Sequence, residues 1–115
     1  MASEAPPLSA NDFHLLLVLA EGESYGYALL KAMEQESGGA VHPDIGSLYR
    51  ALARLVSGGL VEEAGEREEP ATPGRPRRYY RITDAGKAAL EADAERLRRA
   101  LALADTRLAT ERATS

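Results

Sequence analysis

The chain contains no cysteine and no tryptophan, and only one phenylalanine, Phe13, among its 115 residues. Without cysteine neither a disulfide framework nor a thiolate metal site can be built, so a zinc finger is excluded; a cytoplasmic setting suits that composition without being required by it. Long hydrophobic runs are missing too. The longest, Leu15 to Ala20, falls far short of the ~20 apolar residues that cross a bilayer and reads as core helix. Met1 to Leu8 holds Glu4 and two prolines where a secretory leader would have a basic flank and an apolar centre, so neither export nor membrane attachment is expected. The two histidines, His14 and His42, have no carboxylate or second ligand at metal spacing, which leaves solvent-facing or capping roles. No GxSxG turn, phosphate-cradling glycine loop or Ser, His and acid set is present, and the expectation is a protein without catalytic residues, metal or cofactor.

Hydrophobic residues make up 44% of the chain, enough for one modest core and too little chain for two. The expected organisation is a loose tail over 1–8, one domain over 9–86, a helix over 87–112 and a short tail over 113–115. Net charge is −4, which by itself argues against a nucleic-acid partner. The distribution matters more than the sum: Arg75, Arg77, Arg78 and Arg81 form a run free of acids, whereas acids gather in Glu62 to Glu69 and toward both ends.

Ser9 followed three residues later by Asp12 matches a reciprocal cap for a helix over about Ala10 to Ala20, with Phe13, Leu16, Leu17 and Ala20 as its buried face. Ser24 can cap a second helix to Glu36 that buries Tyr27, Leu29, Leu30 and Met33, with Gly38-Gly39 ending it. Pro43 suits the first turn of a third helix, which runs to Ser57 and stops at Gly58-Gly59. Two short strands follow, Leu60 to Glu63 and Arg77 to Ile82, joined by a long polar loop. Alternation buries Tyr80 and Ile82 and exposes Arg77 and Arg81. From Lys87 to about Arg112 the chain is rich in strong helix formers, and Leu90, Ala94, Leu97, Leu101, Ala104 and Leu108 follow the 4, 3 spacing of a helix that packs on another helix. At about 26 residues, or ~39 Å, that helix is too long for a small core to cover, which favours a partner subunit over packing back on its own domain.

Three helices, a two-stranded β-hairpin wing and a long C-terminal dimerisation helix describe a mainly α (α+β) winged helix-turn-helix. Ile45, Leu48, Leu52 and Leu55 must then face inward, leaving Asp44, Ser47, Arg50 and Arg54 outward with Tyr49 at the edge and His42 just ahead. Arg50 can fork to guanine O6 and N7, Ser47 can bond a base or phosphate, and the Tyr49 hydroxyl can reach a phosphate oxygen. Arg75, Arg77 and Arg78 would follow the backbone or enter the minor groove. Two plainer readings stand beside these: the third helix could present an ordinary solvated face, and the arginine run could pair with the acids before it. Of the tyrosines, Tyr80 reads as core and Tyr25 is left open.

At these residues the sequence resembles the PadR family of transcriptional regulators. The resemblance lies in Leu19-Ala20-Glu21-Gly22-Glu23-Ser24-Tyr25-Gly26-Tyr27, Gly46-Ser47-Leu48-Tyr49-Arg50-Ala51-Leu52, Gly58-Gly59-Leu60-Val61, Gly74-Arg75-Pro76-Arg77-Arg78-Tyr79-Tyr80 and Ile82-Thr83-Asp84-Ala85-Gly86, in order, over about Phe13 to Gly86. It implies a repressor, usually dimeric through its C-terminal helix, that reads double-stranded DNA with Ser47, Tyr49 and Arg50 and grips it with Arg75, Arg77 and Arg78 until a small-molecule effector or signal arrives. Two features depart from the family pattern. Glu66, Glu68 and Glu69 add acid to the wing, and the lack of Trp removes the flat aromatic drug site of some members. A winged helix can also serve purely as a protein-interaction module, so the alternative to DNA binding is docking through the last helix and hairpin.

Overall fold

A computed structural model describes residues 7–68 and 74–114. Glu69 of the wing, the first six residues of the expected tail and Ser115 lie outside them. Helix α1, Ala10–Glu21, begins where Ser9 Oγ accepts the Asp12 amide at 3.0 Å, satisfying one of the first turn's free N–H groups. The reciprocal half of that cap is not made, because the Asp12 carboxylate turns to Arg54 instead. Leu15, Leu16, Val18 and Leu19 are buried, Phe13 is half-buried, and Leu17 and Ala20 are exposed. The expected face is thus rotated. Leu15 to Leu19 is apolar at every position, so spacing could not say which side turns inward.

A two-residue strand that the sequence did not announce, β1 (Ser24–Tyr25), precedes helix α2, Gly26–Glu36. Ser24 therefore belongs to a strand; the cap position falls to Tyr25, whose side chain makes no capping bond. Leu29 and Met33 are buried in the core and Leu30 packs at its edge, but Tyr27 is 57% exposed and lies off the buried face where it was expected. In helix α3, Ile45–Ser57, Asp44 is the cap: its Oδ1 accepts the Ser47 amide at 2.7 Å, and Pro43 stands before the cap and not in the first turn. Leu48, Ala51, Leu52 and Leu55 are buried, and Ile45 is half-buried. Each fully buried leucine of this cluster contributes about 1.5–3 kcal/mol.

Strands β2 (Val61–Glu68) and β3 (Pro76–Ile82) form the hairpin, and β1 adds to β3 so that the wing is a three-stranded antiparallel sheet in the order β1-β3-β2. The register pairs Val61 with Ile82, Glu62 with Arg81 and Ser24 with Tyr80, with an irregularity between Glu63 and Glu66. Val61, Tyr80 and Ile82 close the core from the sheet side, as alternation required. Beyond Glu63, β2 continues through polar residues that give no hydrophobic signal, which is why the sequence ends it early.

Helix α4, Asp84–Thr114, starts three residues before the expected Lys87. Thr83 explains this: its Oγ1 accepts the Gly86 amide at 3.0 Å while donating to the Gly59 carbonyl at 2.6 Å, which fastens the start of α4 to the turn after α3. Gly86 permits that approach, since a Cβ there would overlap the Leu60 carbonyl oxygen and stand 2.7 Å from Ile82 Cγ1. Leu8, read as part of a loose tail, packs at the core's edge and donates its amide to the buried Asp93 Oδ1 at 3.4 Å. With 31 residues α4 extends about 46 Å, well past the domain it leaves. Among the described residues no helix is long and apolar enough to cross a membrane.

Candidate nucleic-acid interface

The cap at Asp44 fixes how the first turns of α3 meet solvent. His42, Asp44, Tyr49 and Arg50 are exposed there and Ser47 is half-buried, so the structure gathers five of the expected reading residues at one end of one helix. Arg50 Nη2 donates to Ser47 Oγ at 3.1 Å, which folds the guanidinium along the helix toward the cap. Asp44 is committed to helix initiation: the Ser47 amide, then the Ser47 hydroxyl, hold its carboxyl below the usual aspartate range, and the nearby Arg50 cation adds to this. Its carboxylate would repel a phosphate, so its contribution is to shape the helix end. Tyr49, 42% exposed, rests its hydroxyl against Gly26, and a Cβ on Gly26 would come within 2.7 Å of the ring's Cζ.

Arg54 does not join this group. Its two terminal nitrogens donate to both oxygens of Asp12 at 2.8 and 3.1 Å, a forked pair between α3 and α1. Asp12 is only 7% exposed, and Arg54 supplies the partner its buried carboxylate requires. The pair lines a cleft of about 590 Å³ between α1, the end of α3 and α4, which Leu8, Leu55, Arg96 and Arg99 also border. Nothing in the sequence links positions 42 residues apart, so this pairing could not be anticipated.

In the wing the cations divide into three kinds. Arg81 bonds Glu62 at 2.5 Å and Glu23 at 3.0 Å, and Arg67 bonds Glu23 at 2.6 Å. Arg67, and after it Arg81, hold the Glu23 carboxyl below the usual glutamate range. Arg78 sits more loosely, 3.9 Å from Glu63 and 3.7 Å from Glu66, and also bonds the Tyr80 hydroxyl. Burial pushes the Tyr80 phenol up, with Arg78 opposing. Arg75 is exposed, and Arg77, expected exposed, is half-buried against the rings of Tyr25 and Tyr27. Internal pairing with acids, the plainer reading of the arginine run, is thus realised for Arg78 and Arg81 and, among the described residues, leaves Arg75 and Arg77 without an acid partner. Sequence reasoning missed Arg67, whose acidic neighbours hid it, and Glu23, which only the unforeseen β1 brings to the sheet.

Of the expected dimerisation residues, Leu90 packs on the chain's own core and Ala94 is half-buried. Leu97, Leu101, Ala104 and Leu108 are exposed, as are Leu103 on the same helix and Leu17 on α1.

Over residues 15–92 the chain matches the family described as Transcriptional regulator PadR-like family. It is 40% identical over 80 residues to the transcriptional regulator Rv3488 of Mycobacterium tuberculosis, covering 70% of this chain and 68% of that one. It is also 39% identical over 94 residues to a 37.1 kDa protein of transposon TN4556 from Streptomyces fradiae, covering 80% of this chain but spanning only 25% of that protein. Among solved structures it superposes on a PadR family transcription regulator of Clostridium difficile with a TM-score of 0.70 at 25% identity, covering 87% of this chain and 99% of that one. The fold is shared as well with Bacillus subtilis PadR, solved in complex with operator DNA, at a TM-score of 0.60 and 22% identity over 70% of this chain and 44% of that one.

Proposed function

Because the chain belongs to the PadR-like family of transcriptional regulators, we propose that it binds double-stranded DNA as a homodimer and represses transcription from an inverted-repeat operator. The observation that carries this is the exposed first half of α3, where Ser47 orients Arg50 and Tyr49, its hydroxyl seated on Gly26 of α2, remains 42% exposed. A helix is the element that fits the major groove, and a forked guanidinium is suited to guanine. The wing would reach the neighbouring groove with Arg75 and follow the sugar-phosphate backbone beside it with Arg77, while Arg78 must exchange Glu63 and Glu66 for phosphate. Arg54, held by Asp12, is left out of the contact.

The exposed leucines of α4, from Leu97 to Leu108, support the dimer, since a helix of that length leaves apolar residues with no cover from its own domain. A twofold pair would place the two α3 helices about 34 Å apart, one turn of the duplex. The cleft beside Arg54 is of a size that takes small ligands, and an effector that loosened the grip on DNA would act there, where α4 meets the reading domain. A cytoplasmic location and the absence of catalysis belong to the same reading.

Selection of bound duplexes from a random pool tests it, because one experiment reports binding, half-site spacing and symmetry. The expected result is enrichment of an inverted repeat whose binding weakens steeply with salt. Failure to enrich any duplex at low salt, with a protein partner bound instead in a salt-insensitive way, would favour the interaction-module alternative.

A further inference from the structure

Between the reading helix and the wing lies a group of side chains that neither of them accounts for. Tyr25 and Tyr27 flank Gly26, the residue on which the Tyr49 hydroxyl rests. The Arg77 guanidinium stands 5.2 Å from the Tyr25 ring centroid and 5.7 Å from that of Tyr27. Tyr25 in turn tilts against Tyr79 at 5.4 Å, and Arg67 covers Tyr79 at 3.9 Å. The two arginines differ in one respect. Arg67 is bonded to Glu23, whereas Arg77 has no carboxylate partner among the described residues, and its Nε is buried with no hydrogen-bond partner.

Core packing does not explain Tyr27, which is mostly exposed at the first turn of α2 and whose hydroxyl reaches no acceptor among the described residues. The β1 to β3 register explains its position: Tyr25 faces Tyr79, so the chain that continues past Tyr25 passes beside Arg77. Tyr49 on α3, its hydroxyl seated on the buried Gly26, and Arg77 on the wing, beside Tyr25 and Tyr27, thus both meet the start of α2. Together they offer phenol O–H and guanidinium N–H donors, and Glu23, the acid next to β1, is already held by Arg67 and Arg81.

We propose that Tyr25, Tyr27 and Arg77 form a seat for a backbone phosphate on the DNA strand that separates the groove entered by α3 from the groove reached by the wing. The inference rests on the DNA-binding reading and deepens it. Two elements in adjoining grooves have one sugar-phosphate strand between them, and that strand must cross the surface joining them. The tyrosine rings hold the guanidinium in place before DNA arrives, so little side-chain freedom is lost on contact, and the seat positions the duplex without reading sequence.

The test compares the parent with Arg77→Met, which keeps the aliphatic stem and removes the charge, and with Tyr27→Phe, which removes one hydroxyl. Each is titrated against a duplex recovered by the parent from a random pool and against a scrambled duplex, across a salt series, with thermal melting as a control on folding. The expected result is a slope of log affinity on log salt shallower by about 0.9 for Arg77→Met, with equal weakening on both duplexes. Tyr27→Phe should weaken both duplexes alike, and it decides the matter if Arg77→Met fails to fold. Parental affinity and slope in the folded variants would overturn the seat while leaving DNA binding intact. A parent that binds neither duplex at low salt would take down the DNA reading and the seat together.

Discussion

Substituting Gly26 by alanine separates the stability of this fold from the placement of its reading surface. The new Cβ would overlap the Tyr49 hydroxyl and stand 2.7 Å from Cζ and 3.3 Å from Cε1, so the ring has to leave. It can do so cheaply, because all three atoms belong to the far end of a side chain that is already partly in solvent. Pushing the ring off its preferred rotamer costs about 0.5–1.5 kcal/mol. Gly26 opens α2 without a positive φ, and alanine in a helix recovers roughly 0.5–1 kcal/mol over glycine. The two terms nearly cancel, so Gly26→Ala should melt within a few degrees of the parent, given that 1 kcal/mol shifts a domain of this size by about 4–8 °C. Binding should not cancel: a Tyr49 hydroxyl that bonds phosphate forfeits about 1.5–3 kcal/mol when displaced. Thermal melting beside titration of a selected duplex reads both quantities. Parental affinity in Gly26→Ala would remove Tyr49 from the interface, and a stability loss well beyond 2 kcal/mol would show that the ring is not free to move.

Gly86→Ala should behave in the opposite way, because its obstacle is the Leu60 carbonyl and not a mobile ring; a loss toward the upper end of about 1–3 kcal/mol by denaturant unfolding is expected, and a neutral result would contradict the close approach. Arg54→Ala leaves the Asp12 carboxylate without its forked partner and should cost about 1–2 kcal/mol of stability, the lower part of the range because Arg54 itself faces solvent. DNA affinity corrected for folding should not change, and a specific loss of affinity would return Arg54 to the reading surface. Glu23 titrates below its ordinary 4.5 in the folded chain, so its contribution is whole above that value and disappears as pH falls through the lowered one. Protection of β3 amides, measured as exchange relative to the intrinsic rate at each pH, should fall over that acid range in the parent, and Glu23→Gln should already show the lower protection at neutral pH; identical protection profiles would show that Glu23 does not anchor the wing.

The legible parts of this molecule were those set by local chemistry. The start of α1 follows from Ser9, a short side chain that bonds a first free amide, and the stop at Gly59 from a left-handed φ of 80; α3 starts close to where Pro43 suggested, but its cap is Asp44, which was read as an outward residue. The inward faces of α3 and β3 follow from leucine spacing and from alternation around Tyr80 and Ile82. Where local chemistry was uniform the reading failed: five apolar residues in a row left α1 with no preferred side, and the polar half of β2 looked like loop. Contacts between distant positions were hidden for a different reason. Asp12 looked like a capping residue, and only the fold shows that it belongs to Arg54; Ser24 looked like another cap, and only the third strand shows that it pairs with Tyr80. For the interface, the reading end of α3 was visible as a pattern of outward residues, but the neutralised state of Arg78 and the tyrosine-bound state of Arg77 depend on register across the sheet.

In the proposed complex the outward side of α3 makes its base-specific contact through Arg50. Its most direct test is the affinity of the parent and of Arg50→Ala for the selected site and for every single base-pair change within it. The parent should discriminate by about 1–3 kcal/mol at one guanine in each half-site, and Arg50→Ala should bind all four base pairs equally there while keeping the parental profile elsewhere. An unchanged profile in Arg50→Ala, with the same discrimination at every position, would contradict the account.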